Sequence, residues 1–267
     1  MEPLGDPAQG GKQLEPMKIL FLLLALMAAI LHASAMSDGQ AQEIGRRIWK
    51  NECAGTVSGL TSWNAGEEFP SLGIAHFIWY PAGRSGPFEE SFPGLARYLQ
   101  ASGQPVKDWM LGACPWKSRA EFQADLSGPR LTELRKLLAA TVPLQARYAS
   151  QRLESALPKM LASAPAGDRA KIAENFRRVA AEPLGYYALM DYVNFKGEGV
   201  NPSERYRGVG WGLAQVLSGM PTSGPALPAF ARSADRVLTD RVKNSPPERN
   251  EAKWLPGWRN RLKTYLE

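Results

Sequence analysis

The chain has 267 residues, of which 44% are hydrophobic and 22% are charged, and its formal net charge is +6. This length and composition are typical of a globular protein with a substantial core, in one large domain or two small ones. The positive charge suits an anionic partner. Because no cluster of Lys and Arg with interleaved aromatic residues follows a binding motif, we predict no nucleic-acid partner.

The segment 17–35, MKILFLLLALMAAILHASA, has the pattern of a secretory signal peptide. Lys18 precedes an uninterrupted apolar run, Ile19–Leu31, and small residues suited to a cleavage site end the segment. The run is shorter than the roughly 18 residues that a membrane span needs. We therefore predict a periplasmic or secreted protein without a stable membrane span, in which residues 1–35 are an N-terminal extension and signal peptide.

The two cysteines of the mature part, Cys53 and Cys114, are expected in an oxidising compartment. We predict a disulfide between them, with two buried thiols as the alternative. His76 is the only histidine after the signal segment, so a zinc site with several histidines cannot be built, nor one with four cysteines. The motifs GxSxG and GxxxxGK[ST] are absent, which argues against elbow-type serine hydrolases and P-loop nucleotide hydrolases. We predict no metal and no cofactor.

The elements predicted after the signal segment are mainly helices, because apolar residues recur at three- and four-residue spacing. In chain order, the predicted helices are Ala41–Cys53, Pro93–Ala101, Phe122–Ala140, Leu144–Leu161, Arg169–Ala181, Leu184–Phe195, Trp211–Ser218, Phe230–Val242 and Trp254–Tyr265. The β-branched and aromatic run Leu72–Tyr80 predicts a strand or buried segment. Pro158 is expected to interrupt the helical pattern. These elements predict an α+β fold that is predominantly α-helical.

Glu52 lies in the last turn of the first predicted helix. This is the negative end of the helix dipole, where an anion is unfavourable and the protonated acid is favoured, as a general acid requires. We predict Glu52 as the general acid. The plainer alternative is a helix-terminal glutamate that pairs with Arg46 or Arg47. Two further glutamates, Glu67 and Glu68, follow in a turn-rich segment.

Two separated segments resemble the phage-type lysozymes. Ser71–His76, SLGIAH, is similar to the TIGIGH strand of that family, and Tyr187–Gly197, YALMDYVNFKG, resembles its buried helix with the pattern ALVSFxFNxG. In that family a catalytic glutamate ends the first helix, and Glu52 occupies this place. The resemblance implies a lysozyme-like fold with a small N-terminal β-hairpin and a helical lobe, here a single domain over 36–267 with a helical insertion around 119–181. It also implies hydrolysis of peptidoglycan glycan strands, and the bacterial cell wall is anionic.

The resemblance leaves the second catalytic carboxylate open. Ala65 stands where a carboxylate is implied, six residues before Ser71. Glu67 and Glu68 are the nearest acids, and we predict that one of them acts with Ser71 to hold the attacking water. Lytic transglycosylases share the broad fold and work with one dominant glutamate, so that activity stays an alternative. A non-catalytic peptidoglycan-binding envelope protein is the second alternative.

The predicted substrate-binding residues lie in two parts of the chain. Aromatic side chains near the first helix can stack on sugar faces, with a place in the core as the alternative, and His76 is chiefly interpreted as a buried structural histidine. The glycine-rich loop Phe195–Gln215 is predicted to line the cleft, and Glu198 is a reserve candidate for the second carboxylate. The binding candidates are Trp63, His76, Tyr80, Asn194, Glu198, Arg207 and Gln215.

Overall fold

The computed structural model of the protein describes residues 36–86, 88–202 and 204–267. The predicted signal segment lies outside these residues, so export and the domain boundary at residue 35 stay predictions. In the described part, no helix is both long enough and apolar enough to cross a bilayer. Residues Asp38–Glu267 form one unit by their internal contacts, and the elements below belong to it.

Eleven α-helices make up most of the described unit, which confirms the prediction of a predominantly α-helical α+β protein. Most of them follow from apolar residues at helical spacing, which bury one face against the neighbouring helices, whereas Gly185–Lys196 is buried on nearly all sides. The helices are α1 Asp38–Cys53, α2 Phe92–Ala101, α3 Asp108–Leu111, α4 Arg119–Ala124, α5 Pro129–Ala140, α6 Val142–Ser163, α7 Ala166–Ala180, α8 Gly185–Lys196, α9 Leu213–Gly219, α10 Ala226–Asn244 and α11 Leu255–Lys263.

Two small antiparallel sheets accompany the helices in the described residues. The strands are β1 Thr61–Ser62, β2 Ser71–Leu72, β3 Phe77–Ile78, β4 Arg205–Tyr206 and β5 Val209–Gly210. The first sheet has the order β1-β2-β3, with Ser71 paired to both Ser62 and Ile78. The second sheet joins β4 to β5 within the predicted glycine-rich loop. A short 3-10 helix, Ser58–Leu60, links α1 to the first sheet, and His76, between β2 and β3, lies 3.8 Å from Glu52.

Of the two alternatives predicted for Leu72–Tyr80, a continuous strand is wrong, because the chain reverses between β2 and β3. The alternative of a buried segment fits most of these residues. Gly73 and His76 have positive φ values of 72° and 50°, in the left-handed region that interrupts an extended strand. Fully buried Gln145 holds this turn: its Oε1 accepts a hydrogen bond from the backbone N–H of Ile74 at 3.0 Å, and its Nε2 donates to the last turn of α5 at 2.6 Å. The turn therefore has a fixed position against the helices.

Helix α6 continues through Pro158, so the predicted helix break there is wrong. Proline removes one backbone donor and commonly kinks a helix. Here Leu153 and Ala156 before the proline and Met160 after it are all buried, so packing holds both halves of the helix on the core. Helix α6 packs against α1 and α8, and these three helices carry much of the site described below.

The predicted disulfide is not formed, because Cys53 and Cys114 are both free and buried. The Sγ of Cys53 donates a hydrogen bond to the carbonyl oxygen of Gly73 at 3.7 Å, and that of Cys114 donates to Trp116 at 3.5 Å. Each thiol is thus directed at its own backbone acceptor. Burial raises the pKa of both thiols to about 12, which keeps them protonated.

Candidate functional site

Glu52 ends α1 next to the turn between β2 and β3. Its side chain is 12% exposed, its Oε2 lies 3.8 Å from Nδ1 of His76, and its Oε1 accepts a hydrogen bond from Arg261. The two arginines that precede it in α1 pair with Glu43 instead, so the plain alternative of a pair with Arg46 or Arg47 is wrong. The last turn of α1 therefore joins the hairpin to the C-terminal helix α11.

Asp191 of α8 anchors Arg261 in this network. Its carboxylate is fully buried and accepts hydrogen bonds from Nε and Nη2 of Arg261 at 2.7 and 2.8 Å. The hydroxyl of Tyr265 donates to it at 2.7 Å, and Nδ2 of Asn51 at 3.2 Å. Burial opposes the charge of Arg261, but the hydrogen bonds and charge of Asp191 outweigh burial and raise the pKa of Arg261. Arg261 therefore stays a cation beside Glu52.

A cavity of about 230 Å³ lies against the first sheet. Four of the predicted site residues line it, together with the rings of two phenylalanines: Glu67, Ser71, His76, Asn194, Phe69 and Phe88. The Oε2 atom of Glu67 is buried and has no hydrogen-bond partner among the described residues. A buried polar atom without a partner is costly. A turn of the carboxylate toward the cavity would bring this atom within reach of water or a polar ligand.

Of the two glutamates predicted as the second carboxylate, the structure brings only Glu67 to this cavity. The side chain of Glu68 is 72% exposed, forms an ion pair with Arg84 at 3.0 Å and does not line the cavity. Ser71 lines the cavity from β2, where it is buried. The adjacent glutamates thus point in different directions, which the sequence alone did not distinguish.

A second cavity, of about 200 Å³, adjoins the first, because Ala75 and Asn194 line both. It extends the cavity of Glu67 along α6 and α8. Burial raises the pKa of Glu198 in its wall, while the charge of Lys159 opposes this shift. The charged residues that line it are Glu89, Arg152, Lys159 and Glu198. The two cavities together form one groove, hereafter the hairpin groove, which has a carboxylate-bearing end and an end of mixed charge.

The aromatic binding candidates pack in the core instead of offering a face to the groove. Trp63 is 4% exposed, meets Phe122 edge-on, and its Nε1 donates to the backbone oxygen of Glu67 at 2.8 Å. Tyr80 is 5% exposed and packs edge-on against Phe69. Both residues fit the core alternative. Trp63 has a positioning role as well, because its hydrogen bond holds the backbone that carries Glu67.

Gln215 and Arg207 do not line the hairpin groove. The side chain of Gln215 accepts a hydrogen bond from the backbone N–H of Gly212 at 2.9 Å and donates to the oxygen of Gly199 at 3.1 Å. It thereby ties the two ends of the glycine-rich loop together, and it lines a separate cavity of about 630 Å³. Arg207 is exposed, with a positive φ of 51°. Only Asn194 and Glu198 of the second predicted region reach the groove.

Sequence reasoning missed Asp191 and Arg261. They are 70 positions apart, and no motif contains both. Asp191 does lie inside the segment Tyr187–Gly197, and an acid in so apolar a helix is a signal that it has a buried cationic partner. The sequence contains no signal that would select Arg261 among the many arginines.

The hairpin groove brings together groups that can move protons and bind a hydroxylated ligand. Glu67 supplies a carboxylate, Ser71 a hydroxyl group and Asn194 an amide. Glu52 lines neither cavity, and its contact with the groove is through His76. Among the described residues, no group of three or more His, Cys, Asp or Glu side chains is placed to hold a metal ion. Comparison of the chain with protein-family models, curated proteins and solved structures finds no match.

Proposed function

We propose that the protein hydrolyses peptidoglycan glycan strands by general acid catalysis. The observation that carries the proposal is a cavity lined by Glu67, Ser71 and His76, with Glu52 in contact with His76. Glycoside hydrolysis uses a pair of carboxylates; here Glu67 lines the cavity, and Glu52 lies behind His76 of the cavity wall. The resemblance of two segments to phage-type lysozymes and the net charge of +6 support the same substrate class.

Glu52 is the proton donor in the proposed reaction. It protonates the glycosidic oxygen, the bond from that oxygen to the anomeric carbon breaks, and positive charge develops on the sugar ring. Glu52 itself lines neither part of the groove, whereas His76 lines it and contacts Glu52, so the proton of Glu52 reaches the glycosidic oxygen by way of His76. Arg261 keeps a counter-ion when Glu52 is protonated, because Asp191 accepts two hydrogen bonds from it.

Glu67 acts on the other reactant, water. Its carboxylate, in the cavity wall, accepts a proton from the attacking water while the water oxygen forms the new bond to the anomeric carbon. The hydroxyl of Ser71 orients this water from β2. Asn194, which is exposed and lines both parts of the groove, is suited to hydrogen-bond a sugar hydroxyl or acetamido group.

Two alternatives use the same groove. A lytic transglycosylase would use Glu52 first as acid and then as base, and a hydroxyl group of the substrate itself would attack in place of water. A non-catalytic peptidoglycan-binding protein is favoured by the hydrogen bond between Arg261 and Glu52, since that contact occupies the carboxylate. A transglycosylase releases anhydro fragments and a non-catalytic protein releases none, so one assay separates these alternatives from hydrolysis.

The test compares Glu52→Gln, Glu67→Gln and Glu68→Gln on purified peptidoglycan, with released fragments analysed by mass spectrometry. We expect Glu52→Gln to lower the rate by at least about 100-fold, as for removal of a general acid, and Glu67→Gln to lower it by at least about ten-fold. Glu68→Gln is the matched control, because its exposed side chain pairs with Arg84 outside the cavity. Thermal melting of each variant verifies that it is folded.

The products decide between the three functions. Fragments with reducing ends indicate hydrolysis, and anhydro fragments indicate a transglycosylase. Binding of peptidoglycan without release of fragments, together with unchanged binding by Glu52→Gln, indicates a non-catalytic protein. Full activity of Glu52→Gln would refute its role as the acid.

A further inference from the structure

A separate groove, hereafter the basic groove, lies between α7, α9, α10 and α11. Its volume is about 880 Å³, and it shares no lining residue with the hairpin groove. The floor is apolar and aliphatic, and Leu266 at its edge is 53% exposed. The floor residues used in this argument are Met220, Pro221, Ala229, Leu262 and Leu266. An exposed apolar concavity of this size is typical of an interaction site.

Basic side chains from three helices surround the apolar floor. They are Lys171, Arg232, Arg236, Arg259 and Lys263. Asp235 is the acid that lines the groove, and Arg259 already pairs with it at 2.6 Å. Within the described residues, no hydrogen bond or ion pair engages Lys171 or Arg232. The groove therefore presents uncompensated positive charge around an apolar surface.

This combination selects an occupant that has an anionic end and an apolar body. Arg and Lys bind phosphate and carboxylate oxygens through charge-assisted hydrogen bonds, and the aliphatic floor needs no directional partner. Protein partners typically anchor through aromatic residues on either side of an interface, and none of the described residues that line this groove is aromatic. The chemistry therefore favours a lipid with an anionic headgroup over an acidic helix of another protein.

We infer that the basic groove docks the protein on a membrane surface by binding anionic phospholipid. The headgroup phosphate lies among the five basic side chains, and an acyl chain covers the floor beside Leu266. Each Lys or Arg close to an anionic bilayer strengthens binding by about five-fold. This inference does not depend on the proposed glycosidase activity, because none of the residues that form the hairpin groove takes part.

The test measures co-sedimentation of the full chain with vesicles of phosphatidylglycerol and phosphatidylcholine, and with vesicles of phosphatidylcholine alone. We expect stronger binding to the anionic vesicles than to the neutral ones, and weaker binding at high salt. The double variant Lys171→Gln, Arg232→Gln is expected to bind about 25-fold more weakly, since two cations are lost. Leu266→Ser removes an exposed apolar side chain and is expected to weaken binding about five-fold.

The matched control is Lys117→Gln, Arg130→Gln, which removes the same charge from exposed positions outside the basic groove. It keeps binding within about two-fold of the unaltered chain. Because all variants carry the same N-terminal apolar segment, a difference between the two double variants reports on the groove. Equal binding by both double variants would overturn the inference, as would equal binding to both kinds of vesicle. Binding of an acidic amphipathic peptide that depends on Lys171 and Arg232, without vesicle binding, would identify a protein-docking site instead.

Discussion

Asp191→Asn removes the buried negative charge that holds Arg261 while it preserves the volume of the side chain. The Oδ2 atom of Asp191 accepts from Nε of Arg261 and from Tyr265, and the Oδ1 atom accepts from Nη2 of Arg261 and from Asn51. Either orientation of the new amide turns an NH₂ group toward two donors. The substitution therefore loses hydrogen bonds in addition to the charge.

The magnitude follows from the burial of the pair. Removal of one partner from a buried ion pair costs about 3–5 kcal/mol. Glu52 remains as a counter-ion for Arg261, and the side chain of Arg261 is 21% exposed, so we expect the lower end, about 3 kcal/mol. This is a large part of the 5–15 kcal/mol that typically stabilises a folded domain. It corresponds to a shift of the urea midpoint by about 1 M or more.

Urea unfolding, followed by tryptophan fluorescence, measures this loss. Glu43→Gln is the control, because its pairs with Arg46 and Arg47 lie at the surface, and it is expected to cost less than about 1 kcal/mol. A double variant Asp191→Asn, Arg261→Gln recovers part of the stability, because no buried cation is left alone. A loss below 1 kcal/mol in Asp191→Asn, or no recovery in the double variant, would refute the reasoning.

Two further predictions concern a buried lysine and a glycine whose positive φ and close neighbours disfavour a side chain. Burial lowers the pKa of Lys196 to about 7 from 10.5, so the unfolded chain binds more protons between these two pH values and stability rises with pH across that window. Below pH 7 Lys196 is protonated in both the folded and the unfolded chain, so the folded protein bears the full free-energy cost of burying its charge. We therefore expect Lys196→Met to stabilise the protein by about 2 kcal/mol more at pH 6 than at pH 9. Denaturant titrations at the two pH values measure this, and equal gains would contradict it. Gly199→Ala is expected to lower the melting temperature more than Gly83→Ala, by an amount equivalent to at least about 1 kcal/mol. Both glycines have positive φ, but a Cβ at Gly199 meets the side chain of Gln215, whereas at Gly83 it meets no atom within 4 Å. Similar losses in the two variants would show that Gln215 does not constrain the loop.

The sequence by itself determined the local structure of most of the described chain. Apolar residues at helical spacing predicted α1 and α8 within a few residues of their observed ends, because amphipathic periodicity is a local property. The same periodicity correctly placed Glu52 in the last turn of α1. Leu72–Tyr80 is not a continuous strand, because Gly73 and His76 adopt left-handed backbone conformations that reverse the chain. The β propensity of the segment does not reveal these conformations.

Only the tertiary structure decided which side chains meet. The partners of Glu52 come from the hairpin and from α11, 209 positions away, and contacts at such separations depend on how helices pack, which periodicity does not specify. The same packing places Glu67 in the wall of the groove and leaves the side chain of Glu68 exposed to solvent. The packing also places the thiols of Cys53 and Cys114 against separate carbonyl groups. The two cysteines therefore do not form the disulfide that the composition predicts. The sequence therefore supplied the candidate residues, and the packing of α1, α6, α8 and α11 around the hairpin determined which of them form a site.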